Sequence, residues 1–175
     1  MLKKIAIGIV AVVVIILGLA LLQPNSFAVS RSIAIKAPAE KIYPLISDFH
    51  EWGKWSPWEG LDPNMKRTFT GPASGAGAVY SWDGNDAVGA GRMEITGAQA
   101  PSKVDIKLDF LKPIASQNTT VFALQPEGDG TKVVWTMSGP SSFMTKLMGV
   151  FVSMDKMIGP DFEKGLASMK AAAEK

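Results

Sequence analysis

The chain has no cysteine and only one histidine, His50. Without cysteine the protein cannot form a disulfide, use a thiolate nucleophile or bind zinc through sulfur. A single histidine with no paired acids at metal-ligand spacing leaves no recognisable metal site, so we expect neither a metal nor another cofactor. An exposed histidine at a helix end is a simpler interpretation of His50 than a member of a Ser-His-Asp arrangement.

Charge is also scarce, since charged residues make up 19% of the chain. Lys3 and Lys4 account for the formal net charge of +2, and residues 23–175 hold 16 basic and 16 acidic side chains. Nucleic-acid binding requires a clustered positive field, so no nucleic-acid partner is expected. Phosphate-binding glycine loops are absent as well, because "GAGAVYSWDG" and "GAGRMEI" precede predicted strands rather than helices.

A long apolar run occupies the N-terminus. No side chain from Ile5 to Leu22 is charged or polar. As a helix this run would extend about 27 Å, close to the hydrocarbon thickness of a bilayer. We predict a single-pass membrane anchor over residues 1–22, with Lys3 and Lys4 on the cytoplasmic side and the rest of the chain on the non-cytoplasmic side.

A cleaved signal peptide is the alternative for the same segment. The apolar region of a signal peptide usually spans about 7 to 15 residues, which is shorter than this run. A weak small-x-small site lies at Ser26 and Ala28, but cleavage there would trim the first predicted strand. Both interpretations place the remainder of the chain outside the cytoplasm.

After a linker at residues 23–26, alternating apolar and polar residues predict a sheet within one domain, residues 27–175. In "KVDIKLDF" the apolar side chains share one face and the charged ones share the other, which is typical of an antiparallel sheet with one wet face. The same parity places Arg92 and Glu94 in water. The predicted strands are one in "FAVSRSIAIKAP" (27–38), then Met65–Thr70, Ala78–Trp82, Val88–Ala98, Lys103–Phe110, Ser116–Gln125 and Lys132–Ser138.

Two segments have helical periodicity. "PAEKIYPLISDFHEW" predicts a short helix after the first strand, with Pro44 in its early turns. Residues 141–175 predict a long C-terminal helix with one apolar stripe. Gly159 and Pro160 predict a kink within it, followed by a renewed helix with an acidic first turn.

Four pieces in this order resemble the START-like (SRPBCC) superfamily, and especially its polyketide cyclase/dehydrase-like branch. They are "VSRSIAIKAPAEKIYPLISDFHEWGKWSPW", "SWDGNDAVGAGRMEI", "GTKVVWTMSG" and "DKMIGPDFEKGLASMK". The resemblance covers residues 27–172. It implies an α+β helix-grip fold, in which a seven-stranded antiparallel sheet wraps around the C-terminal helix. Between sheet and helix, relatives hold lipids, sterols, polyketides or other apolar molecules.

Three tryptophans, Trp52, Trp55 and Trp58, lie within seven positions. They could form a lid over the cavity, part of the core, or a belt at a membrane interface. Core packing would require a partner for each indole N–H within a short segment. The resemblance places this segment at the cavity mouth and therefore favours the lid, while the other two interpretations stay open.

We therefore expect a membrane-anchored, non-catalytic binding domain whose partners are an apolar small molecule or lipid and, through residues 5–22, the membrane. A polyketide cyclase/dehydratase-type enzyme and an assembly or stress partner protein are the alternatives. Asp155 could bind a polar head group at the cavity edge, act as an acid, or simply mark the boundary of the core. The expected cavity and lid residues are Trp52, Trp55, Trp58, Tyr80, Trp82, Met93, Ile106, Leu108, Phe122, Trp135, Met137, Phe151, Met154, Asp155 and Ile158.

Overall fold

The computed structural model describes residues 2–175, so Met1, the first residue of the predicted anchor, lies outside the described residues. The helices are α1 (Leu2–Leu21), α2 (Ala39–Ser47), a 3₁₀ helix (Phe49–Lys54), α3 (Phe143–Gly149) and α4 (Met154–Ala173). The strands are β1 (Ser26–Ile35), β2 (Lys66–Thr70), β3 (Val79–Asp83), β4 (Ala90–Gln99), β5 (Lys103–Lys112), β6 (Ser116–Glu127) and β7 (Gly130–Pro140).

The seven strands form one antiparallel sheet in the order β1-β7-β6-β5-β4-β3-β2. Consecutive strands from β2 to β7 pair as neighbours, and β1 closes the series by pairing with β7. Each predicted strand is present, with ends shifted by up to three residues. The predicted α+β helix-grip fold, with a seven-stranded sheet and a C-terminal helix, is confirmed.

The two faces of the sheet differ as the alternation predicted. Val104, Ile106 and Leu108 of β5 are buried on the inner face. There α4 packs through Phe162, Leu166 and Met169. On the outer face, Arg92 and Glu94 form an ion pair of 2.7 Å between Nη2 and Oε2. The core therefore lies between the inner face of the sheet and α4.

The C-terminal segment differs from the predicted single helix. It is broken at residues 150–153, whereas α4 continues through Pro160, so the prediction that a renewed helix begins there was wrong. The Ser153 hydroxyl caps α4 by accepting a hydrogen bond from the Lys156 backbone N–H, 3.3 Å away. A serine cap satisfies a backbone donor that the first turn leaves free, and it therefore starts α4 after the break.

Helix α1 is apolar and exposed along its length, and it is long enough to cross a membrane. A signal sequence at an N-terminus has the same properties. Its last turn packs against α3, which buries Ala20 completely. The apolar helix therefore joins the sheet next to the start of the C-terminal helical region.

Candidate ligand-binding site

Trp52 and Trp55 are held inside the domain by α2. The indole N–H of Trp52 donates to the Ile46 carbonyl oxygen at 3.1 Å, and that of Trp55 donates to the Leu45 carbonyl oxygen at 2.7 Å. Both carbonyls belong to the last turn of α2, where the helix itself provides no donor. The two side chains are only 3% and 2% exposed, so they lie in the core rather than in an outer lid.

Trp135 of β7 lies at the centre of the aromatic cluster that fills the space between sheet and α4. Its ring stacks on Phe162 of α4, with centroids 4.0 Å apart and 5° between the planes. Phe122 of β6 lies against it at 5.0 Å, while Trp55 and Trp58 meet it edge-on at 5.5 and 5.8 Å. One indole thus links the sheet, the segment after α2 and the C-terminal helix.

Two buried polar atoms on the inner face have no hydrogen-bond partner among residues 2–175: Trp135 Nε1 and Asn118 Oδ1. The two residues are 3% and 4% exposed. Phe122 pairs with Trp135 across β6 and β7, which places Asn118 four residues away along β6, or about 13 Å. An unpaired buried donor or acceptor costs roughly 1–3 kcal/mol, so each atom is a natural contact for a polar group of a bound molecule.

The structure places most of the predicted cavity residues on the inner face or beside it. Those buried with Trp135 are Tyr80, Met93, Ile106, Leu108, Phe122 and Met137. Those partly buried against the same core are Trp58, Trp82, Met154 and Ile158. The set is thus largely brought together, although the contact of any of these residues with a ligand stays a prediction.

Phe151 was predicted to line the cavity, and the structure does not place it there. Its side chain is 69% exposed in the segment between α3 and α4. The prediction assumed that one helix carried the apolar stripe through this position. Because the helix is broken at residues 150–153, the periodicity no longer directs Phe151 toward the sheet.

Asp155 lies outside the core as well. Its carboxylate accepts hydrogen bonds from Arg31 Nη1 and Nη2 at 2.7 and 3.0 Å, and Arg31 Nε donates to Glu163 Oε1 at 2.7 Å. The hydrogen bonds from Arg31 hold the pKa of Asp155 below its usual range. Since the Asp155 side chain is 55% exposed, it joins α4 to the edge strand β1 instead of reaching the cavity.

A polar cluster that was not predicted from sequence lies beside the core. Tyr80 Oη donates to Glu59 Oε1 at 2.6 Å, and Arg67 Nε donates to Glu59 Oε2 at 2.7 Å. Burial and the Glu59 contact raise the pKa of Tyr80 well above its usual range. Alternation placed Tyr80 correctly on the inner face, but no local pattern links it to an acid 21 residues earlier.

A hollow of about 960 Å³ is an open depression on the outer side of the sheet, bordered by Lys107, Thr119 and Ser138. A smaller hollow of about 280 Å³ lies between the 3₁₀ helix and the β2–β3 hairpin. Its walls include Phe49 and Ala78, which belong to the buried cluster, so this hollow is the better candidate for an entrance to the interior.

His50 borders this smaller hollow. Its ring stacks on Phe69 with centroids 4.2 Å apart, and its Nδ1 lies 2.7 Å from Asp48 Oδ1. The side chain is 51% exposed, which confirms the interpretation of His50 as an exposed residue near a helix end.

The family model for polyketide cyclase / dehydrase and lipid transport matches residues 26–174. The chain belongs to this family. This membership and the observed fold confirm the START-like resemblance. A comparison with curated proteins found no match.

Solved structures agree with the fold. The ginseng major latex-like protein 151 from Panax ginseng has a TM-score of 0.62 and 12% identity, with 87% of this chain and 100% of that chain covered. The Aha1 dimer from Colwellia psychrerythraea has a TM-score of 0.60 and 20% identity, with 85% and 96% covered. The di-domain ARO/CYC BexL from the BE-7585A biosynthetic pathway has a TM-score of 0.60 and 16% identity, with 90% and 53% covered. At these identities the likeness extends to the fold alone.

Proposed function

We propose that the protein is a membrane-anchored binding protein that holds an apolar small molecule or lipid between the inner face of the sheet and α4. The surfaces that would enclose such a molecule are apolar and aromatic, as in most small-molecule sites. The family description, which includes lipid transport, supports the same class of ligand.

The unpaired indole N–H of Trp135 carries this proposal. A binding site for an apolar molecule needs few polar groups, and those few orient the ligand. Trp135 supplies one donor at the centre of an otherwise apolar cluster, and it has no protein acceptor among residues 2–175. A carbonyl, hydroxyl or carboxylate oxygen of the ligand would satisfy it, while the rings around it would contact the hydrocarbon part.

The protonation and hydrogen bonding of Tyr80, a titratable side chain in the buried cluster, favour binding over catalysis. Its raised pKa keeps the phenol protonated at neutral pH, and its proton is already donated to Glu59. A phenol in this state is neither a general base nor a nucleophile. The contacts of Glu59 with Tyr80 and Arg67 hold the loop before β2 against the sheet.

Binding can be tested with the full chain in detergent and cis-parinaric acid, a fatty acid whose absorption overlaps tryptophan emission. We expect saturable energy transfer from the tryptophans. Trp135→Phe should weaken binding at least about tenfold, because a hydrogen bond to a charged group contributes roughly 1.5–3 kcal/mol. Trp82→Phe is the control, since the Trp82 indole already donates to the Val88 carbonyl oxygen at 3.0 Å. Absence of saturable transfer, together with no lipid retained in native mass spectrometry, would refute the proposal.

The anchor and its orientation are the second part of the proposal. Lys3 and Lys4 at the start of α1 favour a cytoplasmic N-terminus, which puts the binding domain on the opposite side. Reporter fusions at the C-terminus should then be active only outside the cytoplasm. A cytoplasmic reporter signal, or a mature chain that begins near Val29, would contradict this arrangement.

A further inference from the structure

The large apolar side chains that remain exposed outside α1 are unevenly distributed. Residues 22–175 include ten such side chains. Eight of the ten lie in three segments: the residue after α1, the end of β5 with the β5–β6 turn, and the region from α3 to the first turn of α4. The eight, here called the apolar end, are Leu22, Leu111, Ile114, Phe143, Met144, Phe151, Val152 and Met157.

The strand register puts these three places at one end of the sheet. Ser26 at the start of β1 pairs with Pro140 at the end of β7, so α1 and α3 adjoin the same edge. Phe110 pairs with Ser116, and β6 runs antiparallel to β7, so the β5–β6 turn projects from that end too. The opposite end carries the turns at residues 99–103 and 127–130, and neither contains a large exposed apolar side chain.

The connection between α1 and the sheet is short and tied to this end. Only residues 22–25 separate α1 from β1. The Ser141 backbone N–H donates to the Asn25 carbonyl oxygen at 2.8 Å, and Lys146 Nζ donates to Asn25 Oδ1 at 2.5 Å. The direction in which α1 leaves the domain is therefore coupled to the position of α3.

We propose that the apolar end lies in the headgroup and acyl boundary of the membrane that α1 enters, with α3 and Phe151 inserted as an interfacial surface. This inference depends on the anchor part of the proposed function. An apolar helix emerging from an end that itself exposes apolar side chains brings those side chains to the bilayer surface. There they leave water without needing a protein partner. The interfacial surface includes the start of α4, the helix that covers the proposed ligand site.

The absence of cysteine makes this arrangement directly measurable. Single-cysteine variants of the full chain, each labelled with an environment-sensitive fluorophore, are reconstituted into phosphatidylcholine–phosphatidylglycerol vesicles. Phe151→Cys and Ile114→Cys report on the apolar end, Asp129→Cys on the opposite end, and Val12→Cys on α1. Each label is exposed to aqueous iodide and, separately, to lipids carrying a nitroxide on the acyl chain. A thermal melt of each labelled variant verifies that it is folded.

Labels at Phe151 and Ile114 should be quenched by the nitroxide lipid and shielded from iodide about threefold or more relative to Asp129, since interfacial side chains lie about 5–10 Å into the boundary. Iodide access at Phe151 equal to that at Asp129 overturns the inference. Shielding from iodide without lipid quenching also overturns it and indicates a protein cover, such as a second copy. A Val12 label outside the lipid refutes the anchor, whereas a Val12 label in lipid with an accessible Phe151 label refutes only the inference.

Discussion

The rings of Trp135 and Phe162 lie parallel with their centroids 4.0 Å apart, and this stack joins β7 to α4 across the interior. Both side chains are almost fully buried, at 3% and 1% exposure. Any molecule that enters between sheet and helix has to separate or slide past this pair. The stability of the domain and its capacity for a ligand therefore depend on the same contact.

Truncation of the helix side of this stack should be costly. Phe162→Ala removes a buried ring, so we expect a loss of about 3–5 kcal/mol in the free energy of unfolding. Phe151→Ala is the matched control, because that ring is 69% exposed and its loss should change stability by no more than about 0.5 kcal/mol. Urea denaturation of both variants measures the difference. Equal losses would mean that α4 is not packed through Phe162.

Two buried tryptophans should respond differently to the same substitution. Trp55→Phe removes a donor and leaves the Leu45 carbonyl oxygen unpaired, whereas Trp135→Phe removes a donor that has no partner among residues 2–175. Both changes remove a similar ring volume at similar burial. We expect Trp55→Phe to cost at least about 1 kcal/mol more than Trp135→Phe in ligand-free protein. If Trp135→Phe proves the more destabilising of the two, its indole N–H has an acceptor.

A glycine on α4 allows the Trp135 ring to approach the helix. A Cβ at Gly165 would lie 2.9 Å from Trp135 Cζ3 and 3.0 Å from Pro57 Cδ, and the stacked rings leave Trp135 little freedom to move. Gly165→Ala should therefore lose up to about 2 kcal/mol of stability, since overpacking costs about 1–3 kcal/mol and the gain in helix propensity offsets about 1 kcal/mol of it.

Gly53→Ala is the matched control for Gly165, because its Cβ would meet open space. This variant should gain about 0.4–1 kcal/mol through a less flexible unfolded chain. The melting temperatures of the two variants should therefore shift in opposite directions from that of the wild type. A gain in both would show that the interior has room beside Trp135.

The Arg31–Asp155 pair should make stability depend on acid pH. The pKa of Asp155 is lowered in the folded protein, so its contribution is complete above its ordinary pKa near 3.8 and is lost as the pH falls below that value. At neutral pH the melting temperature of the wild type should be higher than that of Asp155→Asn. The gap between the two melting temperatures should narrow below about pH 4. Asp86→Asn, in the exposed β3–β4 turn, provides the control. A gap that stays constant down to pH 2 would exclude this ion pair as its source.

Most of the sheet could be predicted from sequence because its strands have one wet face and therefore alternate; β2, which is exposed at all five residues, is the exception. The break before α4 was missed although two local signals were present: Gly149 at the end of α3 and Ser153 as a cap. An apolar stripe that continues across both signals is typical of one helix. Pro160 does not restart the helix, because α4 accommodates it within its length.

The candidate site was less predictable, because its decisive contacts join distant residues. The carbonyls that accept from Trp52 and Trp55 are free only because α2 ends where it does. Likewise, Glu59 contacts Tyr80 across 21 residues of chain, where β3 pairs with β2. Alternation thus predicted which side chains face inward, but it could not predict which of their polar atoms would be left without a partner.

The four residues between α1 and β1 also limit how far a ligand could be carried. Fully extended, they would reach about 14 Å, and Asn25 is already held in place. A shuttle that crosses the aqueous gap between two membranes needs a tether as long as that gap. On the anchored arrangement proposed above, this domain would exchange its cargo with one leaflet, and any second membrane or acceptor protein would have to come to it.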